Sequence, residues 1–600
     1  MALASNTQRW TLGSFSASGP RIAALVVVSL VFVLPSGAND VCKVQEPAAA
    51  STAAPPEQKP TRFVDADEIV RLARKGTPVQ VDGAVIRGRL DFSYMTIEQQ
   101  VKLTNCDFLE APNLSYSTFK RHLILTGSTF RKGANFESAT VDLNAALNRT
   151  QFLAGEANLR DLQVHGFLNM HLARFADGVV LRGVGAHLQK GADFSNDDFG
   201  GEARLDSMES DGDLNFAYAK FHKLFLLTTT KVSGSLFLRC AEFWDSATMP
   251  GIQVTYNVRS EGADFKNAAN FSESQIGSFV ELSGAKFENA DKPVDFSRAT
   301  VAAGGFFDRV TFAGEVKFNG AHFNSDASFD QATFERTASF ERAHFDQGAH
   351  FEHTAFRGNA SFHDTSFGTL DLSPDGQVDG KEQFHGTVEL RGCTYDRVLA
   401  DWQSLLSLAD GRPRLAQTDK QPYLQLQKSY AAMGDDVSAN HVFLEWHRVK
   451  RSDLFHSHKL LWLLDCVPWL TSNYGVAPGR LLEMSFLLIF VGMFIFSCPG
   501  AVSPVGAKDQ AAAFPTKLGR LRHWDAAAVS LHQFLPIEVP FGAQWTPASQ
   551  IVTLRYRHHD RGRTLLRVRP STYATILKVS GYILVPLEIV VLNGLLKPGG

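Results

Sequence analysis

Between residues 307 and 367 phenylalanine returns every five or six residues, at 307, 312, 318, 323, 329, 334, 340, 345, 351, 356, 362 and 367. The alternation makes an 11-residue unit. Two places before each ring from Phe312 onward stands a small or β-branched residue: Val310, Val316, Ala321, Ala327, Ala332, Ala338, Ala343, Ala349, Thr354, Ala360 and Thr365. An α-helix needs apolar residues at steps of three and four, and a long strand needs them at every second position. A chain that turns a corner every five or six residues fits instead, because each short extended face then points one Phe and the residue two before it inward. Four faces make a coil of about 22 residues. Coils stacked about 4.8 Å apart bury a continuous column of rings, with alanine filling the space beside them. The demand shows in the composition: 46 Phe against 11 Tyr and 8 Trp.

Units such as AHFNS, ASFDQ, ATFER and ASFER in this stretch resemble the pentapeptide-repeat family, whose central residue is Leu or Phe and whose residue two earlier is usually Ala. The resemblance implies that family's right-handed four-sided β-helix. Looser units continue upstream in CDF (106–108), STFRKGANF (128–136), ADFSNDDF (192–199), NFAYAKF (215–221) and ADFKNAANF (263–271). The regular six-residue step departs from the five of the usual motif and predicts a small bulge in each coil. Between about 140 and 190, and around 245–260, the rhythm weakens, and an interruption is expected there.

With 22 residues per coil, Asp308, Asp330 and Glu352 form one column of like charges about 5 Å apart, which is destabilising unless something compensates. A hydrated acidic stripe and a seat for a divalent cation or a basic partner are the competing readings. The same rule stacks His322 on His344, with His350 and His353 near them, and pairs Glu335 with Arg357 and Arg342 with Asp364. Solvated histidines are the expected explanation of the first pair. Some members of the family imitate duplex DNA, but nine acidic and five basic residues between 307 and 367 are too mixed for a phosphate-like stripe. Nucleic acid is not an expected partner, and no catalytic motif, cofactor loop or metal-binding cysteine spacing is present.

Arg9 and Arg21 precede IAALVVVSLVFVL (22–34) and the small residues Ser36 and Ala38, the order of a secretory signal or signal anchor. VQEPAAASTAAPPEQKP then reads as a linker. Cys42, Cys106, Cys240, Cys393, Cys466 and Cys498 are scattered, and isolated thiols are expected. The overall balance of 59 basic and 62 acidic residues excludes a globally basic binder.

From about 396 the rhythm stops, and YLQLQKSYAAMGDDVSANHVFLEWHRVKR (423–451) predicts two antiparallel helices capping the last coil. LLWLLDCVPWL is too short to span a membrane but suits its interface. Apolar stretches near 481–498 and 576–596 are each long enough to approach a span, and they carry Glu483 and Glu588. The intervening 500–570 holds ten Lys and Arg against four acids, which places it in the cytoplasm by the positive-inside rule. The order span, AAAVSLHQFLPIEVPFGAQWTP, span resembles the pore module of two-span ion channels. Where a potassium filter would read TVGYG the chain has FLPIEVPFG (534–542), so carbonyl rings are not implied. Glu538 and Glu588 are the candidate pore or intramembrane residues, and an interfacial amphipathic loop is the competing structure.

The sequence therefore predicts a mainly β protein with these parts: signal peptide or anchor 1–38, linker 39–60, four-sided β-helix 61–395, helical cap 396–458 and membrane region 459–600. The expected repeat core is Phe312, Phe318, Phe323, Phe329, Phe334, Phe340, Phe345, Phe351, Phe356 and Phe362. Function is expected to be non-enzymatic: a membrane-anchored array presenting an interaction surface to an unknown protein partner outside the cytoplasmic membrane. A two-span channel-like protein, assembled as a homo-oligomer through its transmembrane helices and gated by the array, is the alternative.

Overall fold

The structure is a computed structural model that describes Cys42 and residues 62–373, 383–400, 419–506, 520–558 and 561–592, with Leu405, Leu408, Ala409, Arg412 and Pro413 between them. The signal segment 1–38 and all of the linker except Cys42 lie outside the described residues. From Arg62 to Ala400 the chain winds as a β-solenoid whose coils pair only in parallel. One face is a 14-stranded ladder from Arg62–Asp65 to Ala355–Phe356, and the next is a 12-stranded ladder from Gly133–Asn135 to Val388–Glu389. The remaining two faces make up a 26-stranded sheet. They fuse because three late coils carry both in single seven-residue strands, His344–His350, Ser366–Leu372 and Thr394–Ala400. At that fused corner the register shifts between Phe345 and Gly348.

Every residue of the expected repeat core is buried, and so is each of the small residues two places before them. On the first face the rings form one ladder of thirteen, Phe108, 130, 152, 175, 199, 221, 243, 265, 287, 312, 334, 356 and 384. Their centroids are 4.7–5.1 Å apart, the spacing of the backbone ladder itself. Across the core the contacts turn edge-to-face, as between Phe307 and Phe318 at 5.3 Å and 87°. The rings thus satisfy their quadrupoles in both directions, offset along the axis and T-shaped across it. Thr354 and Thr365 replace alanine without leaving a buried hydroxyl unpaired, since they donate to the Phe329 and Phe340 carbonyls at 2.6 Å.

Three expectations need correction. The solenoid is not interrupted between 140 and 190 or near 245–260: the ladder passes through Phe152, Phe175, Phe243 and Phe265, while Leu, Val, Met and Ile fill the other faces. Inserted residues lengthen some coils there, to 24 residues between Arg174 and Asp198, and so shift the phase without breaking the pairing. The six-residue step is not a bulge in each coil but one of two alternating corners. Every five-residue corner holds one residue in the left-handed region, as at Arg298, Arg309, Gly320, Gln331, Arg342, His353 and Asp364, all 11 apart. Non-glycine residues there cost about 1–2 kcal/mol each, which inter-coil bonds such as Arg309 N–H to the Asp330 carbonyl (2.7 Å) help offset. Finally, the thiols are not all isolated: Cys42 and Cys240 form a disulfide with Cα atoms 5.7 Å apart, while Cys106, Cys393, Cys466 and Cys498 are free.

Both ends of the rod are covered. Helix α1 (Ala66–Arg74) buries Ile69, Val70 and Ala73 at the first coil. Its signal is the amphipathic ADEIVRLAR after Asp65, which carries none of the Phe rhythm of the coils that follow. At the other end α2 (Lys420–Ala432) docks on the strand Thr394–Ala400, with Gln421 and Gln425 donating to the Cys393 and Tyr395 carbonyls and Tyr430 to that of Ala400. Helix α3 (Asp436–Ser457) packs back on α2, and α4 (Lys459–Ser472) leads to α5 (Gly479–Phe496), α6 (His523–Phe534) and α7 (Pro570–Leu592).

Because each ring contacts its neighbours above and below, Phe243→Ala is expected to destabilise the array by about 3–5 kcal/mol. Urea unfolding followed by far-ultraviolet circular dichroism checks this, and an unchanged midpoint would mean the coils near 245 are not part of one cooperative stack.

Candidate functional site

Two regions carry the residues that the sequence singles out: an acidic corner of the solenoid and the membrane-type helices. At the corner, Asp308, Asp330 and Glu352 directly follow Phe307, Phe329 and Phe351, whose rings stack at 4.8 Å, so the three carboxylates stand on successive coils. Burial raises the Asp308 pKa, and the charge of Asp330 raises it further against a hydrogen bond from Ser328. Burial and then the charges of Asp371 and Asp330 raise that of Glu352. Upstream, Glu281 is raised by burial and by the charges of Glu261 and Asp308. The acidic column thus comprises Asp308, Asp330 and Glu352 on successive coils, with Glu281 and Asp371 close beside its two ends.

Histidines join it at the lower end. His353 Nδ1 lies 3.2 Å from Asp330 Oδ1. His350 stands between Asp371 (3.6 Å) and Asp326 (3.5 Å), and the bond to Asp371 raises its pKa against the effect of burial. Asp371 is buried, which works to raise its pKa, yet hydrogen bonds from His350 and Ser373 outweigh this and hold it at about 2. Two trios of donors each lie within 4.8 Å, Asp330 with Glu352 and His353, and His350 with Glu352 and Asp371. Glu352 is common to both. Such oxygen and imidazole donors suit a hard or borderline divalent cation. Counting 22 from His350 lands on Leu372, because the fused strand shortens that coil by one residue; Asp371 was missed for that reason.

The other histidines and cross-coil pairs are of ordinary surface type. His322 and His344 have ring centroids 5.7 Å apart, and His322 pairs with Asp346 at 3.0 Å. Glu335 and Arg357 pair at 2.7 Å, but Asp364 pairs with His363 at 3.2 Å rather than with Arg342.

In the membrane region α5 and α7 are long and apolar enough to cross a bilayer, with mean hydropathies of 1.9 and 1.4. Only 28% and 22% of those windows are buried, so most of each helix's apolar surface is exposed. Helix α6 packs against both. Ser530 Oγ donates to the Ile489 carbonyl at 2.9 Å, and a Cβ on Gly492 would collide with that hydroxyl. A Cβ on Gly581 would overlap the Phe534 carbonyl oxygen, which places the end of α6 halfway along α7. The chain then folds back along α6, where Val539 N–H donates to His532 (3.2 Å), and Trp545–Pro547 pairs with Val502–Pro504 beside the end of α5. The segment between the two apolar helices is thus helix α6 followed by a return along it, packed between α5 and α7. Glu538 is exposed near its tip, and Glu588 of α7 accepts from Ser485 of α5 at 2.6 Å.

The architecture defines a class, the four-sided parallel β-solenoid, here joined to a helical region with two span-length helices. Residues 307–355 match the family described as Pentapeptide repeats (9 copies). Together with the coil geometry, this match supports a pentapeptide-repeat solenoid. No curated protein and no solved structure matches it.

A carboxyl whose pKa is higher folded than unfolded binds its proton more tightly in the folded state, so stability falls as pH rises through that interval. Asp308→Asn is therefore expected to raise the melting temperature at about pH 7, with the gain vanishing as the pH drops below about 4. Asp371 has the opposite sign, its contribution being lost as the pH falls from about 4 toward 2. Thermal melts across pH read both.

Proposed function

We propose that the chain is a non-enzymatic, membrane-anchored repeat protein whose rigid array presents an interaction surface on the outer side of the cytoplasmic membrane. The observation that carries the surface is the acidic row. Carboxylates on consecutive coils weaken the fold that holds them, by burial and by mutual repulsion, and such a cost is retained where the group has work to do. A basic protein surface is the complementary partner. The side of the membrane is supported by the Cys42–Cys240 disulfide, since such bonds persist in oxidising compartments. The basic balance of residues 500–570 supports the same topology. In situ crosslinking in spheroplasts is expected to capture a partner with the wild-type chain and to lose it with Asp330→Lys. Unchanged capture would remove the acidic row, and protection of residues 100–370 from added protease would overturn the topology.

A second reading is favoured by the α6 hairpin. A short helix that enters between two spans and returns along itself is the arrangement of a re-entrant loop, tolerated at membrane depth where it lines a cavity or is buried in protein. In this reading copies of the chain assemble around the loop, Glu538 lines a cation path, and the array senses or gates. Planar-bilayer recordings of purified protein test it: conductance altered by Glu538→Ala is expected, and silence at every voltage ends the idea.

A further inference from the structure

Helix α4 is amphipathic in the wrong sense for water. Leu460, Leu463, Leu464, Val467 and Leu470 recur at helical steps of three and four and are all exposed, Leu460 at 74% and Leu464 at 61%. Away from the exposed Lys459 at its start, the polar residues Asp465, Thr471 and Ser472 are turned into the protein. Asp465, whose side chain is 11% exposed, accepts from Tyr474 Oη at 2.5 Å and pairs with Lys450 of α3 at 3.5 Å. Arg451 of α3 donates to the same Tyr474 hydroxyl at 2.9 Å and stacks over Trp469 at 4.4 Å, and Phe455 meets Trp462 edge-on at 5.4 Å. Both tryptophans engage α3, and Trp469 stays 42% exposed, so the outer surface is an aliphatic stripe with one aromatic edge. An acid in the middle of an apolar helix would bar it from lipid, but here its charge is consumed within the fold.

Exposed apolar residues recur on α5, the next helix along the chain, at Phe486, Leu487 and Phe490. Helix α4 is 14 residues long, or about 21 Å, against a hydrocarbon thickness of about 30 Å, so it is too short to cross. We propose that α4 is a third membrane-inserted element, lying in the leaflet that adjoins the solenoid with its Leu460–Leu470 stripe among acyl chains. This rests on the reading that α5 and α7 cross the bilayer. Its consequence is mechanical. The last coil is hydrogen-bonded to α2, α2 packs on α3, and α3 is clamped to α4 through Asp465, so a helix fixed in the leaflet fixes the rod's orientation to the membrane.

The test uses the full chain carrying Cys466→Ser and Cys498→Ser, reconstituted in phosphatidylcholine–phosphatidylglycerol vesicles and spin-labelled at Leu464→Cys, at Val467→Cys or, on α5, at Phe486→Cys. Collision rates with oxygen, which concentrates in lipid, and with a water-soluble nickel chelate are compared. All three labels are expected to favour oxygen several-fold. Labels on α4 that favour nickel, or that are shielded from both reagents as beneath a second copy of the chain, would overturn the proposal while Phe486→Cys still reports lipid. A nickel-accessible label at Phe486→Cys would instead overturn the membrane reading itself, and the proposal with it.

Discussion

The structure depends on a match between two spacings. Parallel coils joined by backbone hydrogen bonds repeat at about 4.8 Å, and offset aromatic rings prefer nearly the same separation. The first-face ladder from Phe108 to Phe384 keeps centroids within 4.7–5.1 Å over the entire rod, so neither the backbone nor the rings yield to the other. A leucine column would bury as well but would leave the angle between coils less determined. The rings add a planar contact, tilted by at most 18° along this ladder, that resists rotation of one coil on the next. Within the apolar interior a small cavity of about 20 Å³ lies where Ile276 and Val301 stand in the column that Phe323 continues below.

That match explains what the sequence shows and what it hides. Where both faces of a corner carry Phe, as from 307 to 367, the period of 11 is visible and the burial pattern follows residue by residue. Between 140 and 190 the same coils are built from Leu, Val and Met, and coils of 23 and 24 residues move the phase, so a search for fixed spacing loses a ladder that the structure keeps. The acidic column was legible because it inherits the 22-residue rule, and Asp371 was not, because one residue is lost at the fused corner by Gly348. The Cys42–Cys240 bond joins residues 198 apart, and no local pattern encodes a contact between a linker and a corner midway along the rod. The segment around α6 was marked by its resemblance to a pore module, with an interfacial loop as the competing structure; its placement rests on Gly492 and Gly581, whose missing side chains say nothing until the neighbouring helices are in place.

The two functional regions are joined by structure of very different character. The solenoid is held by repeated, nearly identical contacts, and the acidic row costs it stability at a few positions that it can tolerate. The helical end is held by one apolar cluster that includes Leu481, Phe496, Val529 and Leu577, to which a few polar contacts are added, Ser485 with Glu588, Ser530 with Ile489 and Asp465 with Tyr474. Such contacts give direction to packing that apolar surfaces alone leave free.

The disulfide also sets an order of events. Cys42 precedes the first strand, while Cys240 lies about eight coils along, so nearly two hundred residues must follow the first thiol before the second exists. Cys240 takes a left-handed backbone at a corner of its coil. The closed bond thus tethers the stretch before the first strand to the middle of the rod, and in a chain still being made it requires the first eight coils to have been synthesised.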